Sequence, residues 1–243
     1  YNCPDANTQQ GTHESVFCAR PTEHPYQVSS WSEMKDYYDP NDVIRAAAMM
    51  VSASDQFKGN NNFEYDLVDI VRQAIAEKGR LTEKVVEAAF AAGDKKLYKA
   101  ASDRFLRLIL LQDELLATRP EFKVGTWIAR ARSLGNTSEE KDLYEWNARV
   151  QITTWGNRLA ADEGGLRDYA HREWNGILKD FYYMRWKTWF DYQTRLLNGT
   201  KAAAIDFYAI EEPWTKATNV YPSEPEGDCI PTVKRIFVEI FGK

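Results

Sequence analysis

The sequence lacks any hydrophobic run long enough to span a membrane. Its richest apolar stretch, "RFLRLILLQDELLA" at 104–117, is interrupted by charged residues at helical spacing, whereas a spanning helix needs about 20 predominantly apolar residues in a row. Concentrated positive charge is also missing, because lysine and arginine alternate with aspartate and glutamate and the net charge is −5. These absences argue against a membrane span and against a nucleic-acid partner.

Histidine and cysteine are scarce, with three of each. No H-x-x-x-H or C-x-x-C spacing brings potential metal ligands together on one element, so we expect no metal site and no cofactor. Cys3 and Cys18 could form a disulfide if the protein is exported, and Cys229 would then be left over. Because the count is odd, the sequence leaves this pairing open.

The usual catalytic motifs are missing as well. No G-x-S-x-G nucleophile motif and no glycine-rich phosphate loop is present. Adjacent carboxylates occur at 139–140, 162–163 and 211–212. Neighbouring residues on a helix point about 100° apart, so such a pair cannot act on one bond from opposite sides. We therefore interpret these adjacent carboxylates as solvated helix faces.

Aromatic residues, in contrast, are abundant: they form 13% of the chain, with eight tryptophans and thirteen tyrosines. Such an excess suits a thick helical core, a carbohydrate-binding surface or an interface. Residues 1–38 have no apolar period but are also rich in aromatics, unlike a disordered tail, so we predict an extended segment that lies along a surface. The chain opens on "YNCPDANTQQ" without an initiator methionine, and we expect it to be a fragment.

From residue 39 onward, apolar residues recur at helical spacing. This pattern predicts one all-α domain over residues 39–243, an irregular bundle of about eight or nine helices. Gly79 is predicted to end the second helix and Thr82 to cap the third. Another strong helix signal covers residues 94–117, where the apolar period continues for several turns.

The second half of the chain has its own helix signals. A capping box of Thr137 and Glu140 opens a helix predicted to end at Trp155. One long helix is predicted over residues 166–199 at the centre of the bundle, and Pro213 is expected to end or kink a later helix. At a helix end, the indole of Trp155 would stand at the rim, where an aromatic ring can stack on the apolar face of a sugar.

Several ordered motifs resemble a known family. "TRPEFKVGTWIARAR", "EKDLYEWNARVQITTWG", "LRDYA", "YYMRWKTWFDY" and "YPSEPEGD" occur in this order, and they resemble the C-terminal helical domain of the α-N-acetylglucosaminidases of glycoside hydrolase family 89. The resemblance covers nearly the whole chain. It implies a three-part enzyme whose catalytic (α/β)8 barrel holds both catalytic glutamates, so this chain would hold no catalytic residue. The helical domain would pack against that barrel, and residues 1–38 would be the segment that leaves it.

The resemblance also implies a partner, a location and roles for single residues. The partner is a glycan with a terminal α-linked N-acetylglucosamine, removed with retention of configuration, and the location is secreted or periplasmic. Trp155 would line the N-acetylglucosamine site, and Tyr169 of "D-Y-A" would lie close by. Arg149 and Arg185 match family motifs too, but we interpret them as buried arginines that pair with carboxylates and fix helix packing.

One alternative of a different class stays open at this point. The chain could be an autonomous helical binding or scaffold module without a glycosidase parent. Such a module would have a polar surface all round, whereas a domain that packs on a barrel would expose a large apolar face.

Overall fold

The computed structural model describes residues 15–23, 27–29, 32–33, 38–163 and 166–242. In these ranges, two short antiparallel strands, β1 (Gln27–Ser29) and β2 (Ser32–Glu33), precede a bundle of α-helices. The helices are α1 (Pro40–Ala53), α2 (Asn61–Ala91), α3 (Lys95–Leu116), α4 (Val124–Ser133), α5 (Ser138–Gln151), α6 (Tyr183–Leu197), α7 (Phe207–Thr215) and α8 (Cys229–Phe241). The predicted all-α class is confirmed. Among the described helices, none is long and apolar enough to cross a bilayer.

The core is built around the contact between α2 and α3. Leu67 and Val71 of α2 are fully buried, as are Phe105 and Leu108 of α3. Their positions follow the helical period that the sequence displays, and Asp94 caps α3 by accepting from the backbone N–H of Leu97 at 2.9 Å. Each buried side chain of this size stabilises the fold by about 1.5–3 kcal/mol relative to exposure.

The predicted break at Gly79 is wrong, because α2 runs without interruption through this position. Gly79 instead makes room for the ring of Phe17: a Cβ on this residue would lie 2.5 Å from the Cε1 atom of that ring. Thr82 does not begin a new helix either, since its hydroxyl donates to the carbonyl oxygen of Lys78 within α2 at 2.7 Å. The glycine therefore serves close packing, not helix termination.

Phe17 belongs to a short 3-10 turn, Val16–Cys18, which is buried among the helices. The indole N–H of Trp186 in α6 donates to the carbonyl oxygen of Phe17 at 3.1 Å, so this turn is tied to the bundle. Cys18 is a free and buried thiol, and burial raises its pKa well above the ordinary value. Cys3, its possible disulfide partner, lies outside the described residues.

The long helix predicted over residues 166–199 is only half correct. The helical part begins with a π-helical turn, Leu178–Tyr182, and continues as α6 into the core, where Trp186 is fully buried. Upstream of it, most of the described residues form turns and extended backbone. Asp113 of α3 determines this start, because its carboxylate accepts from the backbone N–H of Gly176 at 2.6 Å. Because the capping carboxylate lies on another helix, the sequence near the start of this helix does not reveal it.

One further helix end differs from expectation, and the helix that contains Pro213 does not end there. The capping box of Thr137 and Glu140 is confirmed at the start of α5, but this helix ends at Gln151, before Trp155. In α7, the helix continues for two residues past Pro213 to Thr215. Proline removes one backbone donor and clashes with the preceding turn, yet this short helix continues through it.

Candidate functional site

A cleft of about 770 Å³ opens between α4, the C-terminal end of α5 and the turns that precede α6. Pockets of this volume are large enough for a small ligand. Aromatic and guanidinium groups are prominent in its lining: Trp127, Arg130, Trp155, Tyr169, Arg172 and Trp174. The cleft therefore has flat apolar surfaces beside hydrogen-bond donors, a combination that suits a polar ligand with an apolar face.

Trp155 reaches this cleft through an unusual backbone conformation. Its φ is 61°, in the left-handed region that a bulky residue rarely adopts, at a cost of about 1–2 kcal/mol. Its backbone N–H donates to the carbonyl oxygen of Val150 at 2.8 Å, which closes the end of α5. The hydroxyl of Thr153 donates to the carbonyl oxygen of Arg149 at 2.6 Å. These bonds hold the strained turn and leave the indole 37% exposed.

Tyr169 lies against Trp155 across the turn. Their ring centroids are 5.1 Å apart with an interplanar angle of 64°, an edge-to-face contact. The two chain segments are joined by a backbone hydrogen bond in which the N–H of Asp168 donates to the carbonyl oxygen of Thr153 at 2.7 Å. Tyr169 is 46% exposed. The structure thus brings together the two residues that the resemblance assigns to a substrate, and we call this pair the aromatic corner. Their contact with a substrate stays a prediction.

A buried ion-pair network lies behind the aromatic corner. The Nη2 atom of Arg185 donates to Oδ1 of Asp168 at 3.0 Å, and its Nε atom lies 2.7 Å from Oε1 of Glu211. All three side chains are fully buried. Burial alone would lower the pKa of Arg185, but the two carboxylates raise it above its ordinary value. Burial raises the pKa of Asp168, and Arg185 opposes that shift.

Arg20 extends this network to the helical turn that follows Trp155. Its Nε and Nη2 atoms donate to the two carboxylate oxygens of Glu211 at 2.8 and 2.6 Å, and its Nη1 atom donates to Oδ1 of Asp162 at 2.6 Å. Asp162 lies on a helical turn, Leu159–Glu163, shortly after Trp155. We name Arg20, Asp162, Asp168, Arg185 and Glu211 the arginine network; it connects the chain on both sides of the aromatic corner.

Arg149 occupies a separate buried position at the end of α5. Its Nη2 atom lies 2.7 Å from Oε1 of Glu145 and donates to the carbonyl oxygen of Asn219 at 2.8 Å. Its guanidinium carbon lies 4.9 Å from the ring centroid of Trp214, a cation–π contact. Because both are fully buried, Arg149 and Arg185 lie behind the cleft wall and not on its surface.

The sequence did not point to several residues of the cleft. Trp127 lies with its ring centroid 6.1 Å from that of Trp174, and its indole N–H donates to the carbonyl oxygen of Ala148 at 2.9 Å. The guanidinium carbon of Arg172 lies 5.4 Å from the ring centroid of Trp174. The one available signal was the i,i+3 spacing of Trp127 and Arg130 on a helix.

A second, more apolar cleft of about 550 Å³ lies between α4 and α5. It shares Trp127 and Arg130 with the first cleft and adds Leu134 and Tyr144 to the lining. Leu134 is 74% exposed, and Tyr144 of α5 is exposed as well. The two clefts therefore form a connected surface on which large apolar side chains face solvent. Within the described part of the chain, no group of three or more potential metal ligands occurs.

Comparisons with known proteins place this geometry in a family. Residues 1–239 match the family model described as the alpha-N-acetylglucosaminidase (NAGLU) C-terminal domain. Human alpha-N-acetylglucosaminidase is 28% identical over 251 residues, covering 99% of this chain and 32% of the human protein.

Solved structures of a family 89 glycoside hydrolase from Clostridium perfringens are similar too. Its complex with 2-acetamido-1,2-dideoxynojirmycin superposes with a TM-score of 0.91 at 36% identity, covering 96% of this chain and 27% of that one. A variant with two glutamates changed to glutamine, solved with its substrate GlcNAc-α-1,4-galactose, has a TM-score of 0.90 at 37% identity over 95% of this chain and 27% of that one. The chain therefore spans about a third or less of the relatives that it matches.

Proposed function

We propose a function from the premise that this chain belongs to the family of alpha-N-acetylglucosaminidase C-terminal domains. Since it spans 32% of the human protein and 27% of the bacterial one, it is an accessory domain of a larger enzyme. Its role is to pack on the catalytic barrel and to line part of the pocket for a terminal α-linked N-acetylglucosamine. The catalytic carboxylates belong to the barrel, so this chain is inactive by itself. We also propose that the whole enzyme is secreted or periplasmic.

The observation that carries this proposal is the aromatic corner. Trp155 adopts a strained backbone conformation and its ring still remains partly exposed in a cleft. Strain of this kind persists where the surrounding structure holds it, and such places are frequently functional sites. An indole and a phenol set at an angle present one flat face for the apolar side of a sugar ring and one hydroxyl for hydrogen bonding. The similar bacterial enzyme was solved with a GlcNAc-containing substrate.

The connected apolar surface supports the packing part of the proposal. Leu134, directly after α4, and Tyr144 of α5 are exposed, large apolar side chains that line the second cleft, and a monomer would normally cover such a surface. An autonomous scaffold module would have a polar face here. Together with the match over residues 1–239, this surface disfavours the alternative of a module without a glycosidase parent.

The decisive variant is Trp155→Ala in a polypeptide that contains this chain and its catalytic barrel. We expect a fall in kcat/KM of about tenfold or more on a chromogenic α-N-acetylglucosaminide, with stability within about 1 kcal/mol of the parent, because a rim residue leaves a smaller cavity than a core residue. Phe57→Ala is the matched control, since Phe57 is a comparably exposed aromatic on a different part of the bundle. If Trp155→Ala unfolds the protein but leaves full activity per folded molecule, the pocket role is wrong.

A second experiment tests where the catalytic carboxylates lie. The 243-residue chain and the polypeptide extended through the barrel are compared on the same chromogenic substrate. Turnover by the extended protein alone supports the accessory role. Turnover by the short chain would place catalytic carboxylates among its helices and overturn the proposal.

A further inference from the structure

Trp155 of the aromatic corner and Asp168, the residue before Tyr169, both have a left-handed backbone, and they are linked to each other. Trp155 has a φ of 61° and Asp168 a φ of 58°. The backbone hydrogen bond from Asp168 to the carbonyl oxygen of Thr153 joins their two turns at 2.7 Å. Since each left-handed residue costs about 1–2 kcal/mol, this pairing persists only because other contacts hold it.

Three polar groups of Asp168 are held by hydrogen bonds. Its N–H donates to Thr153, its carbonyl oxygen accepts from the N–H of His171 at 3.0 Å, and its Oδ1 atom accepts from Arg185 at 3.0 Å. Asp168 is fully buried, whereas the next residue, Tyr169, is about half exposed. One residue is thus anchored in the interior while its neighbour presents a ring to the cleft.

The anchor of Asp168 is itself rigid. Arg185 also donates to the carbonyl oxygen of Cys18 at 3.1 Å and pairs with Glu211, which accepts two hydrogen bonds from Arg20. A planar guanidinium with several fixed partners has little freedom to rotate. Charge-assisted bonds are directional and roughly twice as strong as neutral ones, so they can impose an orientation that apolar packing could not.

We propose that Asp168 is a positioning residue: through Arg185 and Thr153 it holds the ring of Tyr169 edge-on to Trp155 and thereby shapes the sugar-binding wall. This inference rests on the proposed function and deepens it. Asp168 does not contact the sugar in this mechanism. It acts through Tyr169, so its effect on the enzyme must disappear when the tyrosine ring is absent.

The test is Asp168→Asn in the polypeptide that carries this chain and its catalytic barrel. Asparagine has the same shape and tolerates a left-handed φ, but it replaces the charged acceptor of Arg185 with a neutral one. We expect KM for a chromogenic α-N-acetylglucosaminide to rise about tenfold while kcat changes by less than about twofold, because the wall contacts the sugar in ground state and transition state alike.

The matched control is Glu77→Gln. Glu77 is also a buried carboxylate that pairs with an arginine, Arg80, but it lies on α2 away from the lining of the cleft. It therefore reports what the loss of a buried charge does to stability alone. We expect a similar fall in melting temperature with KM and kcat within about twofold of the parent.

A double-mutant cycle separates positioning from general loosening. In the Tyr169→Ala background, Asp168→Asn should change KM by less than about twofold, because the ring it positions is gone. If Asp168→Asn folds too poorly, Arg20→Lys replaces it: lysine keeps the charge but cannot hold both oxygens of Glu211 and Asp162 together. That variant should raise KM about threefold, and only when Tyr169 is present.

The outcomes distinguish the two levels of the proposal. If Trp155→Ala and Tyr169→Ala leave the kinetics unchanged, the pocket role of the domain fails. If the Trp155 and Tyr169 variants impair the enzyme but Asp168→Asn leaves KM unchanged, only the positioning role is overturned. The same holds if Asp168→Asn raises KM equally in the presence and in the absence of the tyrosine ring. A rise in KM that vanishes in the Tyr169→Ala background supports it.

Discussion

The α2–α3 pair and the segment of residues 152–176 are held together by different forces. In the pair, regular helices bury apolar side chains, and the ring of Phe105 lies 4.4 Å from that of Trp186 and 5.2 Å from that of Phe17, measured between centroids. In the described residues of the segment, turns largely replace regular α-helix, three non-glycine residues (Trp155, Asp168 and His171) are left-handed, and buried arginines bind carboxylates and carbonyl oxygens.

The difference shows what each force can build. Hydrophobic burial is non-directional, so it stabilises relaxed helices in many similar packings. Hydrogen bonds and ion pairs depend on angle and distance, so they can hold a backbone in a strained conformation and aim one side chain. The helical pair therefore supplies most of the stability, and the irregular segment supplies a shaped surface.

The largest expected effect is on the helical pair. Phe105→Ala should lower the free energy of unfolding by about 3–5 kcal/mol, because Phe105 is fully buried and surrounded by aromatic rings. Urea unfolding of this chain measures the loss. In the barrel-containing polypeptide, kcat/KM per folded molecule should be unchanged, and a specific loss of activity would contradict the separation between the two regions.

A buried carboxylate of α2, Glu83, should make the helical pair sensitive to pH. Burial, and then the nearby Glu87, raise the pKa of Glu83 on α2 from 4.5 to about 7. A raised pKa in the folded state means that the protonated form is favoured by folding. The contribution of protonated Glu83 to the stability of the folded state is thus complete below about pH 4.5 and is lost as the pH rises through about 7.

Glu83→Gln should remove this dependence. The amide stays neutral, so unfolding free energy at pH 8 should rise by about 1–3 kcal/mol, with little change at pH 5. Urea unfolding at the two pH values measures both numbers. The lowered pKa values of exposed Glu139 and Glu140 act at more acidic pH and do not interfere. Equal stability of variant and parent at pH 8 would show that Glu83 ionises normally.

The effect of Gly79→Ala on stability should change sign when the neighbouring ring of Phe17 is removed. Alanine is a better helix former than glycine by about 1 kcal/mol, but its Cβ would lie 2.5 Å from the ring of Phe17. We expect a net loss of about 1–2 kcal/mol in the parent and a gain of about 0.5–1 kcal/mol in a Phe17→Ala background. Thermal melts of the four proteins give the result, and a loss in both backgrounds would contradict the packing role.

The smallest effect tests the strain at the aromatic corner. Trp155→Gly and Trp155→Ala remove the same ring, but glycine adopts a left-handed φ without penalty. The glycine variant should therefore be more stable than the alanine variant by about 1 kcal/mol in urea unfolding, with the same kinetic loss. If the alanine variant is the more stable one, the left-handed turn is not a source of strain.

The sequence predicted the helices whose signals are local and missed the ends that distant residues determine. The capping box of Thr137 and Glu140 and the amphipathic period of α3 appear in the structure as expected. The close packing that Gly79 allows depends on Phe17, and the late start of the helix before α6 depends on Asp113. These partners lie many residues away in sequence, so no window along the chain could reveal them.

For the site, the resemblance pointed to Trp155 and Tyr169, and the structure shows how they meet. Neither composition nor periodicity could reveal that a backbone bond from Asp168 to Thr153 joins their turns. The sequence did not identify Trp127 and Arg172 as cleft residues, because the spacing of each also suits a core or a solvated helix face. Only the packed chain places them around one cleft.

By itself, the sequence determined an all-α chain of a recognisable family, because helical periodicity, capping residues and ordered motifs are encoded within short stretches. The tertiary structure decided where those helices stop and which side chains share a surface. Buried ion pairs and strained turns require partners from distant parts of the chain, so the aromatic corner and the arginine network behind it exist only once the bundle has formed.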